Sequence, residues 1–307
     1  MPTQQRLSFQ DQIRNNKIKS VFLIIIIFIF FIVFGYVISL ILNPGYFFII
    51  MIISIIFSLS YVLISYYKSD KIALASVKAK PASRTDHRTF FHAAENMSLA
   101  SGLPMPKLYV MESLEINAFA SGRNPQNAII CVTTGCLKKL NKQELEGVIA
   151  HEMSHIANYD IRFMTLTVVL VGMISIIAQL FLRTLWFSSM TGHGRGRGDA
   201  RVQIFLILIG IAFAILAPIA AHLVSLAISR KREFIADATG VKFTRYPPGL
   251  ANALKKIRHE HISSKEKHRF AKSVAPLFIS DPFKRKVHGL FSTHPDISER
   301  INRLERM

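Results

Sequence analysis

Cysteine is almost missing from this chain: Cys131 and Cys136 are the two present, separated by Val-Thr-Thr-Gly, and no second pair completes a structural zinc site. A disulfide between them would need an oxidising compartment, which the charge pattern disfavours, so both are expected to be reduced bystanders. Acidic residues are scarce as well, 19 against 38 lysines and arginines, for a formal net charge of +19. That excess would suit nucleic acid, but no recognition motif accompanies it and the basic residues flank apolar runs, so nucleic acid is not an expected partner. A cleavable leader is also not expected, because the first apolar run is too long and no small-residue cleavage site follows it.

What the chain has in abundance is apolar sequence, gathered in blocks. Val21 to Leu42 and Phe47 to Tyr67 each reach the roughly 20 residues a bilayer needs, joined by the tight turn Asn43-Pro44-Gly45-Tyr46. Met164 to Phe187, carrying Gln179 and Arg183, and Val202 to Ile228, carrying Pro218 and His222, are two further candidates. Four transmembrane helices are therefore expected. Arg14, Lys17 and Lys19 precede the first span, Lys68, Lys71, Lys78, Lys80 and Arg84 follow the second, and Arg230, Lys231 and Arg232 follow the fourth. This is a positive-inside pattern that outnumbers the opposing Arg195, Arg197 and Arg201, so both termini and the polar segments are expected in the cytoplasm.

The polar segments carry the chemistry. In His151-Glu152-Met153-Ser154-His155 two histidines stand four apart, so on a helix both imidazoles reach one metal ion while Glu152 points alongside. Catalytic zinc takes nitrogen ligands of this kind, keeps a coordination position open and lowers the pKa of a bound water to roughly 7; Glu152 would be the base. The motif closes an amphipathic helix with Asn141 as N-cap, Glu144 completing a capping box, and Leu145, Val148 and Ile149 as the apolar stripe. Before it, a helix from about Thr85 to Ala100 should end at Gly102 and Pro104, followed by strands at Lys107 to Met111, Ile116 to Ala120 and Ala128 to Thr133.

Two histidines need a third ligand. A hairpin of two spans returns the chain to the side it left, which brings Ser229 to Asp237 beside the first motif. Candidates are Glu233, Asp237, Asp160, His87, His92, His222 and His294. Glu233 lies on the returning helix with Asp237 one turn later on the same face, an arrangement that suits a ligand and a carboxylate orienting an imidazole. Solvated helix charges beside Arg230 and Arg232 explain the pair equally well on chemistry alone. His294, ahead of a closing helix, is a candidate for holding a substrate oxyanion, or else a capping or packing residue.

These motifs, with Asn117-Ala118-Phe119-Ala120-Ser121-Gly122 and Thr293-His294-Pro295 plus Arg300, resemble the HtpX family of membrane zinc metalloproteases, relatives of the CaaX prenyl proteases among the gluzincins. The resemblance runs from the first hairpin to the final helix. It implies His151, His155 and Glu233 as ligands of one Zn2+ per chain, Glu152 as general base, Asp237 behind the ligands, and Asn117, Ala118, Phe119 and Ala120 as a strand on which an extended substrate is laid. The implied architecture is an α-helical membrane protein with a mixed α+β, zincin-like catalytic domain on the cytoplasmic side. Its divisions are a tail at 1–20, a membrane hairpin at 21–67, the first catalytic part at 68–163, a second hairpin at 164–228 and the second catalytic part at 229–307. The implied function is hydrolysis of misfolded or damaged membrane proteins in the bacterial inner membrane, beside other quality-control proteases.

Three other classes compete. An intramembrane protease would bury the histidine motif in an apolar span, but Lys142, Glu144, Glu146 and Asp160 flank it here. A metal transporter or sensor would need more intramembrane ligands than His222. A non-catalytic membrane scaffold would leave the site without metal.

Overall fold

The computed structural model describes residues 9–41, 44–169, 179, 183, 230–263, 277–279 and 295–307. Two long apolar helices open it, α1 (Phe9–Ile41) and α2 (Phe47–Tyr67), packed on each other as a hairpin. Within them, Ile13–Val33 and Phe47–Tyr67 are long and apolar enough to cross a membrane. Phe48, Ile52, Ile53, Ile56 and Leu59 of α2 are exposed, an apolar surface of the kind that lipid covers. The expected third and fourth spans lie outside the described residues apart from 164–169, 179 and 183, and His222 and His294 lie outside them as well.

The N-terminal stretch departs from the expected polar tail. Residues from Phe9 are already helical and continuous with the span, and at about 1.5 Å per residue the helix is about 50 Å long against a hydrocarbon core of about 30 Å. Its polar end therefore projects well beyond the apolar layer, with Asn16 and Ser20 buried.

After α3 (Ser69–Ser76) the chain builds a four-stranded mixed sheet in the order β1-β2-β4-β3, from β1 (Lys80–Pro81), β2 (Lys107–Met111), β3 (Ala118–Gly122) and β4 (Ala128–Thr133). β2 and β4 run parallel; β1 on β2 and β3 on β4 are antiparallel. Two of the expected strands match these bounds. The third begins two residues later, at Ala118, because the Asn117 N–H donates to the Thr133 hydroxyl (3.1 Å) before the ladder starts. β1 falls in what reads as a basic linker, since two exposed residues, one of them proline, carry no alternation to detect.

Helix α4 (Arg88–Ser101) ends at Gly102, whose φ of 70° is the left-handed conformation glycine adopts without strain. α5 (Thr134–Lys139) leads into α6 (Lys142–Ala157), where the capping box is complete: Asn141 Oδ1 accepts from the Glu144 N–H at 2.9 Å and Glu144 Oε2 from the Asn141 N–H at 2.8 Å. A further helical stretch occupies 160–169. The chain resumes in α7 (Arg230–Thr244), α8 (Pro247–Ser263) and α9 (Ile297–Leu304).

Side chains alternate across the sheet with period two. Leu108, Val110, Ala118, Ala120, Ile130 and Val132 enter one core with α4, α6, α8 and α9. Met111, Phe119, Ile129 and Cys131 enter a second core with Leu23, Ile27 and Phe31 of α1, Ala73 and Leu74 of α3, and Phe163 and Leu166. The sheet is thus buried on both faces, and the first membrane helix supplies part of one covering layer.

Gly147 fixes how closely α8 approaches α6: a Cβ there would stand 2.5 Å from the Leu250 backbone nitrogen. Gly147→Ala gains up to about 1 kcal/mol of helix propensity but overpacks against a backbone that cannot rotate away, at a cost of about 1–3 kcal/mol. A lowered thermal unfolding midpoint in detergent is expected; an unchanged or higher one would mean the two helices can separate freely.

Candidate active site

α6 presents His151 and His155 one turn apart, both buried, with their Nε2 atoms 3.3 Å from each other. Across from them α7 places Glu233, its Oε2 3.6 Å from His151 Nε2 and its Oε1 3.8 Å from His155 Nε2. Glu233, Asp237 and Gly240 share one face of α7. Gly240 lets that face close on α6, since a Cβ there would stand 3.1 Å from the His151 backbone nitrogen. The three ligand-type atoms lie within 4.8 Å of one another and could hold a metal ion.

The other ring nitrogens are committed to carboxylates. His151 Nδ1 faces Asp237 Oδ1 at 2.9 Å and His155 Nδ1 faces Asp160 Oδ2 at 3.0 Å. With each Nδ1–H donated outward, both Nε2 lone pairs point inward at a common position, the tautomer a metal requires. Burial and the Arg300 guanidinium push the His151 pKa down, but hydrogen bonds with Asp237 and Glu233 outweigh them and raise it to about 9, so a metal ion at Nε2 would take the place of a proton there.

Each outer carboxylate is itself held. Arg300, one of the most deeply buried side chains, donates Nε to Asp237 Oδ2 (2.9 Å) and Nη2 to Asp237 Oδ1 (2.7 Å), a bidentate pair. The Arg300 Nη1 also donates to the Ile279 carbonyl at 3.2 Å. Asp160 Oδ1 accepts from Arg232 Nε (2.9 Å) and from Asn16 Nδ2 (2.7 Å). Burial raises the pKa of Glu152, against the two imidazoles that lower it, and the nearby Ala120 backbone of β3 lowers it further. β3 thus lies directly beside the histidine helix.

Most of the expected constellation meets here: His151, Glu152, His155, Glu233 and Asp237, with Ala118 and Ala120 on the adjacent strand. Asn117 uses its Oδ1 to accept from the Ala118 N–H at 3.0 Å, and Phe119 points to the opposite face, stacked edge-on with Phe278. Other candidates lie elsewhere. His87 closes a local turn by accepting from the Ser83 N–H, and His92 is exposed beside Glu95. Asp160, a candidate ligand from sequence, instead touches the back of His155. The partnerships of Arg300, Arg232 and Asn16 have no spacing signal; Asn16 is visible only as a polar residue poorly suited to a helix interior. Cys131 and Cys136 are free and buried in different cores, and burial pushes both thiols up, as expected of inert cysteines.

Paired helical histidines, a carboxylate from a second helix and a further carboxylate between them are the parts of a metallohydrolase site. Residues 83–307 match the model of peptidase family M48. The chain is 42% identical over 303 residues, 99% of either chain, to a protease HtpX homolog of Caldanaerobacter subterraneus subsp. tengcongensis. It is 39% identical to that of Listeria monocytogenes and 37% identical to that of Streptococcus uberis, each over 97% of this chain and 99% of the relative. Among solved structures, S. mikatae Ste24p matches 89% of this chain and 62% of its own, with a TM-score of 0.46 and 19% identity. The chain belongs to peptidase family M48. It is a membrane metalloprotease.

The buried Arg300–Asp237 pair has a measurable consequence. Arg300→Leu leaves a buried carboxylate without its guanidinium, which typically costs about 3–5 kcal/mol, and a large fall in thermal stability is expected. Adding Asp237→Leu should restore part of it. If Arg300→Leu alone costs under about 1 kcal/mol, the pair does not hold the site together.

Proposed function

We propose that the metal is zinc, that the protein is an endopeptidase of the bacterial plasma membrane, and that its site faces the cytoplasm and cuts misfolded or damaged membrane proteins. The observation that carries the metal reading is the pair of inward-facing Nε2 atoms at 3.3 Å. Two nitrogens held about 2.0–2.1 Å from one tetrahedral zinc lie about 3.3 Å apart. Charge agrees with this. With both imidazoles neutral, as metal ligation requires, Glu152, Asp160, Glu233 and Asp237 are four carboxylates buried around the site against the two buried guanidiniums of Arg232 and Arg300, which leaves two negative charges for a divalent cation.

His151, His155 and Glu233 would hold the zinc. A zinc ion there supplies a Lewis acid that polarises the scissile carbonyl and acidifies a water. Asp237 and Asp160 keep the two imidazoles in the binding tautomer through Nδ1. Glu152 takes the proton of the attacking water on its carboxylate and delivers it to the leaving amine nitrogen. Asn117 to Ala120 would receive an extended peptide as an added strand on the β3 edge. Ala118 O there accepts from the Ile279 N–H at 3.0 Å, so a peptide pairing at that point takes the place of Ile279. His294 is assigned the developing oxyanion.

The two hydrophobic blocks after residue 163 complete four spans in this reading, and the basic flanks put both termini inside. A cytoplasmic cleft beside the bilayer suits membrane-protein substrates, and other quality-control proteases would share them.

Glu152→Gln should retain zinc while cleavage of an unfolded casein-type substrate in detergent falls by about 10²–10⁴-fold, the usual worth of a general base. Near-normal turnover by the metallated variant would remove the mechanism. Glu233→Ala should lose zinc, whereas Asp237→Ala and Asp160→Ala should bind it about 10–100-fold more weakly; full zinc occupancy in Glu233→Ala at limiting zinc would overturn the ligand assignment. For topology, an extracytoplasmic reporter inserted near Asn124 should be silent, and its activity would reverse the orientation.

A further inference from the structure

The turn that follows the histidine helix does more than end it. α6 stops at Ala157, and Tyr159 adopts a φ of 58°, a left-handed conformation that a bulky residue enters only under constraint. This turn swings Asp160 back so that its Oδ2 meets His155 Nδ1. Such a conformation persists only when surrounding contacts over-determine it.

Part of those contacts comes from the membrane hairpin. Asn16 of α1 is buried, and its Nδ2 donates to the Asn158 carbonyl at 2.9 Å and to Asp160 Oδ1 at 2.7 Å. The carboxamide has two N–H bonds on that nitrogen, one for each acceptor. Next to it, Lys17 Nζ stands 4.5 Å from the centre of the Tyr159 ring. One turn later Ser20, also buried, donates to the Asn16 carbonyl at 2.8 Å. The polar end of α1 is therefore hydrogen-bonded to Asn158 and Asp160 and in contact with Tyr159 between them, from a sequence distance of more than 140 positions.

We propose that Asn16 is a positioning residue of the metal centre, acting through the 158–160 turn to hold Asp160 against His155. The claim rests on His155 being a metal ligand. Asn16 touches neither metal nor substrate; it fixes the turn and one oxygen of the carboxylate, leaving the other to orient the imidazole. Arg232 holds the same Asp160 oxygen from α7 at 2.9 Å, so the carboxylate is gripped from the helix that carries Glu233 and from the first membrane helix together. Docking of the membrane hairpin is thereby a condition of a well-formed metal site.

The test uses purified full-length protein in detergent, with Zn2+ affinity measured by chelator competition and the visible spectrum of the Co2+ form as a report on ligand geometry. Asn16→Leu, close in size, and Asn16→Ala should bind metal about 10–100-fold more weakly, the usual effect of losing an outer partner of a ligand, with an altered Co2+ spectrum and a fall in kcat larger than any change in KM. Asn15→Ala, exposed on the same helix, should match the parent protein. Asp160→Ala should lower affinity by itself, and adding Asn16→Leu to it should bring little further loss, because the amide acts through that carboxylate. Parent-like affinity and spectrum in both folded Asn16 variants would overturn the proposal, as would penalties that simply add in the double variant. A parent protein that takes up no metal would overturn it together with the metal site, whereas Asp160→Ala losing affinity while both Asn16 variants keep it would overturn the role of Asn16 and leave the site intact.

Discussion

Two imidazole nitrogens facing each other at 3.3 Å inside a buried site set the terms for everything around them. Left alone, their lone pairs would repel or one ring would turn. Neither happens because each ring is fixed from behind by a carboxylate, Asp237 for His151 and Asp160 for His155. The helical rise supplies the spacing of the histidines, but it does not set ring rotation or tautomer. Those come from α7 and from the turn after α6.

Burying that many charges is costly unless they balance. The arrangement answers this with buried pairing rather than with exposed ion pairs: a bidentate Arg300 on Asp237 and the Arg232 Nε on one oxygen of Asp160. A lysine could not grip both oxygens of Asp237 in the way the guanidinium fork does. Arg300 reaches the site from α9, whose Ile301 and Leu304 are anchored in the first core, so the last helix of the described chain is held in place by packing and in turn holds an outer carboxylate.

Much of the centre was legible in the sequence because its information is local. The histidine spacing, the Asn141 and Glu144 cap and the apolar stripe of α6 are all contained in fifteen positions, 141–155, and each appears in the structure as its chemistry requires. Glu233 and Asp237 were reachable through a topological argument, the return of a hairpin, and a resemblance chose between two equal readings. The partners of Asp160 were not reachable. Asn16 precedes it by 144 positions and Arg232 follows it across a long apolar stretch of sequence, and nothing in a single chain's spacing links them. β1 was missed for a different reason: two residues do not make a periodicity, and only pairing with Tyr109 and Val110 defines it.

The same limit explains why the sheet looked simpler in sequence than it is. β4 reads Ala-Ile-Ile-Cys-Val-Thr, apolar without a polar alternate, which is the pattern of a strand covered on both sides. One cover is the histidine helix and its neighbours; the other includes Leu23, Ile27 and Phe31 of the first membrane helix. A soluble catalytic unit hung from a membrane anchor would not need that second cover. Here its removal would expose Met111, Phe119, Ile129 and Cys131 together, an apolar face of the kind that drives association, and Phe119 lies on the strand that runs beside Glu152. The anchor and the active site therefore share a core, and the bilayer position of α1 bears on the strand and the turn that border the histidines.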